Sequence, residues 1–285
     1  MSLTTSDPAS PFADAAPGFW SRVDQGLERS SEKLNPILVK EARQALKSKQ
    51  FLITFILLLV CGWGWSLIGV ALVGPGIYYS PSGPFMLIGF HIVLTVPLLL
   101  IVPFSAYRSL SCEREDGTYE LLSITTLSSR QIVTGKLGSA LLQMLIYYSA
   151  LAPCIAFTYL LRGVDVFTIA FLLFYSFLAS MLLSVFGLCV AAITRARHIQ
   201  VLLSVGLLIG LVFVTIVWCI SWSALTYEAG RMPFDDADFW IAQAAILTAC
   251  VTYFLLFLFA AAAQLSFASD NRSTKLRIVM VVQQV

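Results

Sequence analysis

The chain has 285 residues, of which 58% are apolar and only 12% charged, about half the charged share of an ordinary soluble domain. With a mean hydropathy of +0.84, it carries more apolar surface than one water-soluble core can bury, and a disordered chain needs the opposite composition. Eighteen basic against sixteen acidic residues leave a net charge of +2, which argues against nucleic-acid binding and leaves a polytopic membrane protein.

Residues 1–34 read as a cytoplasmic tail. Its first 18 residues are rich in Ser, Ala and Pro and are expected to be disordered, and a weak helical pattern (Phe19, Trp20, Val23, Leu27) follows. A clearer element occupies 35–50. Asn35-Pro36 is a good helix start, with Asn as N-cap and Pro in the first turn. At about 100° per residue, Leu38, Val39, Ala42, Ala45 and Leu46 share one arc. Lys40, Glu41, Arg43, Gln44 and Lys47 fill the other side. This is the pattern of an amphipathic helix lying in the membrane interface, or of a solvated juxtamembrane helix.

Six stretches, near 51–73, 85–107, 137–161, 166–194, 199–222 and 239–266, are apolar over the roughly 20 residues that a membrane crossing takes. They define a transmembrane domain over 51–266. None contains Asp, Glu, Lys or Arg, and His91 is their one ionisable side chain besides Cys and Tyr. They are expected to be helices, because a backbone facing lipid must satisfy its own hydrogen bonds, and the alternating ten-residue strands of a barrel are absent. The first span, 23 residues long after a 50-residue leader, reads as a retained helix rather than a cleaved signal sequence.

Sixteen of the eighteen Lys and Arg residues fall on one side of these spans, and only Arg162 and Arg231 on the other. By the positive-inside rule both termini, including the tail 267–285, are cytoplasmic. Glu228, Asp235, Asp236 and Asp238 gather in one outer loop, and Trp218, Trp222 and Trp240 mark the outer boundary. The six cysteines lie in spans or on the cytoplasmic side, with no Cys-x-x-Cys or His pairing. Neither a disulfide framework nor a metal site is expected.

The longest hydrophilic connection between spans is 108–136. Gly117 can end a helix continuing out of the second span. Tyr119, Glu120, Leu121 and Leu122 then form a short turn, too apolar for a free loop: it docks on a cytoplasmic partner or tucks back onto its own bundle. Ser128 and Gln131 make a capping box, stapled by Leu127 and Ile132, that starts a helix near 129.

Asn-Pro-Ile-Leu-Val-Lys-Glu-Ala-Arg at 35–43, Glu-Arg-Glu-Asp-Gly-Thr-Tyr-Glu-Leu-Leu at 113–122 and Gly-Lys at 135–136 together resemble the integral permease subunits of ABC exporters of the ABC-2 type. The resemblance covers 35–160 by motif and the remainder by span count. It implies a dimer of six-span subunits in the cell membrane, each contacting a separate ATPase subunit. It casts 108–136 as the coupling loop, with Glu113, Arg114, Glu115, Gly117, Thr118, Glu120, Leu121 and Leu122 in contact with the ATPase, and Tyr119 within the same apolar turn. It casts Asn35, Pro36, Lys40, Glu41 and Arg43 as parts of the interfacial helix. Many members have a larger outer element between the last two spans than the short 223–238 here.

The residues support the same division of labour. Gly135-Lys136 is followed by Leu137, and Arg130 stands where a phosphate-binding loop needs glycine. ATP hydrolysis is therefore expected on another chain, with no cofactor and no catalytic residue on this one. Ion-coupled carriers mark their paths with intramembrane charges, and only His91 is available. It either lines a pathway or makes an interhelical hydrogen bond. Pro97, Pro103 and Pro153 can kink their helices, as a moving pathway requires. The expected function is a permease subunit of an ATP-driven exporter; the alternatives are a membrane scaffold without transport activity or an ion-coupled carrier.

Overall fold

The computed structural model describes residues 36–74, 76, 79, 81–115, 129–193, 197–229, 234, 236–265 and 281. Among these the chain is helical, and six helices are long and apolar enough to cross a membrane. It is a multi-pass membrane protein.

Helix α1 (Pro36–Lys47) opens on the expected proline and is followed by α2 (Lys49–Val73). Ser48 alone separates them. Its hydroxyl donates to the Ala45 carbonyl at 2.7 Å and accepts from the Phe51 N–H at 3.1 Å. One side chain thus closes the last turn of α1 and caps the first turn of α2. Helix α2 stops at Gly74, whose φ of +51° favours glycine.

The second crossing is α3 (Gly83–Val96), a π turn (Pro97–Ile101) and α4 (Val102–Glu115), continuous in space. Pro97 has no N–H to donate, and the Val102 N–H bonds the Pro97 carbonyl five residues back. This widened turn is the usual response to an interrupted helical ladder. The helix runs well past the expected end of the second span.

Helix α5 (Ser129–Leu160) starts where the capping pattern places it, and Pro153 lies on its exposed side. Helices α6 (Val166–Ile193), α7 (Arg197–Ala229) and α8 (Ala237–Leu265) complete the bundle. The second crossing is its axis. Over its most apolar stretch 61% of residues are buried, against 17% for α7 and 6% for α8.

Helix α6 packs on that axis through a stripe of small residues. Ser176, Ser180 and Ser184 are fully buried, and Ser180 donates to the Leu98 carbonyl within the π turn. Each serine spares lipid an unpaired hydroxyl while letting the backbones approach closely. A Cβ at Gly187 would stand 2.9 Å from the Pro103 carbonyl oxygen, so only glycine fits there. At the far end of α6, Phe171 and Tyr175 cluster with Trp222, Phe234 and Phe239. All three tryptophans expected at the outer boundary join this aromatic group, Trp218 through Trp222 and Trp240 through Phe234 and Phe239.

Candidate functional site

The opposite end of the bundle, where α1, the end of α4 and the start of α5 meet, holds its buried charges. Lys136 on α5 is 1% exposed. Its ammonium lies 3.0 Å from Glu41 Oε1 on α1 and 3.0 Å from Glu113 Oε2 on α4, and it donates to the Ser109 carbonyl at 3.2 Å. Lysine offers three N–H donors and no acceptor, and here three oxygens from two other helices surround them. A buried ammonium is tolerable only with such compensation.

The close approach that allows this comes from Gly138. A Cβ there would lie 2.5 Å from Leu38 Cδ1, so glycine at 138 lets Leu38 seat α1 directly on α5. Glu41, one turn further along α1, is carried inward with it. This corrects the sequence expectation, which put Glu41 on the solvated side with Lys40 and Arg43. Those two are exposed, whereas Glu41 is 7% exposed. A carboxylate belongs on the packed face because Lys136 waits there.

Arg114, next in sequence to Glu113, turns the other way. Its Nη1 donates to the carbonyls of Ala192 at 2.8 Å and Ala191 at 3.4 Å. These are among the last carbonyls of α6, which lack helical partners and carry the negative end of its dipole. Glu113 and Arg114 therefore tie the end of α4 to α1 and α5 on one side and to α6 on the other. Tyr107 adds a bond from its hydroxyl to the Gln200 carbonyl of α7 at 3.0 Å. Beyond residues 116–128, Arg130 lies 4.5 Å from the centre of the Phe259 ring on α8, a cation–π contact. Both flanks of 116–128 are thus anchored to the bundle.

Beside the ion cluster lies a cavity of about 440 Å³ between α1, the first turn of α2, α4 and α5. Its deep wall carries Gln143, 7% exposed, whose Oε1 accepts from the Ser105 hydroxyl at 3.4 Å. Lys40 and Arg108 line its exposed side.

The sequence candidates distribute unevenly over this geometry. Glu113 and Arg114 make the contacts above, and Glu115 is the last residue of α4. Gly117, Thr118, Tyr119, Glu120, Leu121 and Leu122 lie outside the described residues, as does Asn35. Pro36 begins α1. His91 sits far from the cluster, on α3, with its Nε2 3.0 Å from the Ser176 hydroxyl and 3.3 Å from that of Thr95. Pro97 opens the π turn and Pro103 meets Gly187. Among the described residues no group of three or more His, Cys, Asp or Glu side chains is disposed to hold a metal.

Lys136, which enters the sequence reading only as half of the Gly135-Lys136 pair, and Gln143 are site residues that the sequence does not single out. Lys136 reads as one more topology-setting charge, because it stands just ahead of the third apolar run on the helix that starts near 129. A usable signal was present: Ile132, Val133, Ser139 and Ala140, its neighbours on a helical face at three and four residues, are all uncharged. The chain matches no protein-family model and no curated protein.

Proposed function

We propose that this chain is the permease subunit of an ATP-driven exporter of the ABC-2 type, working with a second permease copy and a separate ATPase bound on the cytoplasmic side. The observation that carries the reading is the pairing of Lys136 with Glu41 and Glu113. It joins α1, the helix entering 116–128 and the helix leaving it. A partner pressing on 116–128 would push α4 and α5 directly and α1 through the shared ammonium. ATP-driven closure of two ATPase subunits would then favour one arrangement of the bundle, through contacts that differ between its states. The weakly buried outer faces of α7 and α8 leave room for the second copy.

The ion cluster lies at one end of the bundle, where a transmitter of force is useful, rather than at mid-span, where an ion-coupled carrier needs its charges. The test is Leu121→Asp with Leu122→Asp. If these leucines are buried against the ATPase, the pair costs on the order of 3–6 kcal/mol, a large share of the roughly 8 kcal/mol of a micromolar complex. The variant should insert normally, lose the ATPase on co-purification and stop transport. Retention of both partner and flux would remove the coupling role from this segment.

A further inference from the structure

We infer that the cavity between α1, α4 and α5 is a binding site for the phosphate headgroup of an anionic amphipathic molecule, entering from the leaflet on the α1 side. The inference concerns this chain alone and stands whether or not an ATPase partners it.

Three features converge. First, Gln143 is more than nine-tenths buried and lines the cavity. Its carbonyl oxygen is occupied by Ser105, but its amide nitrogen has no partner among the described residues. That nitrogen carries two N–H donors and can offer them to an acceptor bound in the cavity. Second, the charge is unbalanced toward cations. Lys40 and Arg108 line the cavity with Glu41 and Glu113, and Lys136, paired with those two carboxylates from outside the lining, leaves the group as a whole with one positive charge in excess. Lys136 is committed to the two carboxylates. Lys40 and Arg108 make no ion pair among the described residues. An ammonium and a guanidinium on one side with an amide donor on the other suit a tetrahedral oxyanion, which accepts several charge-assisted bonds at once.

Third, the cavity is amphipathic along its depth. Phe51, Ile101 and Tyr147 line it beside these polar groups, and it lies at the junction of α1 with the first apolar span. A free anion needs no such surface, whereas the acyl chain of a lipid does. The volume of about 440 Å³ falls in the range of about 300–1,000 Å³ usual for small-molecule sites.

The experiment uses the full chain purified in a neutral detergent. The probes are dihexanoyl phosphatidic acid, dihexanoyl phosphatidylcholine and inorganic phosphate, read by native mass spectrometry and by the shift in melting temperature. Phosphatidic acid should bind one per chain and raise the melting temperature more than phosphatidylcholine does. Lys40→Gln with Arg108→Gln should weaken it by about tenfold or more, the weight of one charge-assisted bond, and Gln143→Leu should weaken it too. Arg43→Gln with Lys47→Gln removes two exposed cations of the same helix that do not line the cavity, and should change little. Inorganic phosphate matching phosphatidic acid would keep the oxyanion site but assign it to a free anion. Equal binding of the two lipids, or equal losses from the two charge-neutralised pairs, would overturn the inference.

Discussion

The Lys136 ammonium lies 3.0 Å from the Glu41 carboxylate, 95 residues away in sequence, and the same nitrogen is 3.0 Å from Glu113. Three helices therefore share one buried charge. Breaking a buried ion pair from one side leaves an uncompensated charge, which typically costs about 3–5 kcal/mol. Lys136→Met should accordingly lower the melting temperature of the purified protein severely. Lys136→Met combined with Glu41→Gln and Glu113→Gln removes every charge together and should recover most of that loss. If the triple variant is as unstable as the single one, the cluster is not a closed electrostatic unit.

The seat of α1 on α5 gives a steric prediction. Gly138→Leu would drive a side chain into Leu38, with overpacking on the order of 1–3 kcal/mol. Leu38→Ala makes room, so Gly138→Leu with Leu38→Ala should be more stable than Gly138→Leu alone. Loss of protein resistance to unfolding in detergent, compared across the three variants, decides the point; additive damage would mean that the two residues do not meet.

A harsher outcome is expected on the bundle axis. The neighbour of Gly187 is a backbone oxygen, 2.9 Å from where a Cβ would stand, and backbone cannot rotate away as Leu38 can. Gly187→Ala should separate α4 from α6 and destabilise, whereas Gly64→Ala, with nothing within 4 Å, should be neutral or slightly stabilising through helix propensity. Equal melting temperatures for the two would refute close packing at 187.

Orientation is testable at Cys112. It is exposed at the α1 end of the bundle, while the other five cysteines lie within α2, α5, α6, α7 and α8. A membrane-impermeant maleimide should label the protein in inside-out vesicles, and Cys112→Ser should abolish most of the signal. Strong labelling of Cys112 from outside intact cells would invert the topology.

The six crossings are legible in the amino-acid order alone, and so are the starts of α1 and α5. Hydrophobicity acts residue by residue, and a run of about 20 apolar side chains has one stable environment whatever its neighbours do. Capping signals are equally local, which is why α5 begins at Ser129 and α1 at Pro36, as expected. Tertiary structure alone decided the fate of the charges. Glu41 satisfies the pattern of a solvated helix face, and Lys136 that of a topology-setting charge just ahead of a span. Only the docking of α1 on α5, permitted by the missing side chain at Gly138, turns both inward to meet Glu113. Burial of a charge depends on a partner at any distance along the chain, and helical periodicity carries no record of which face another helix will cover.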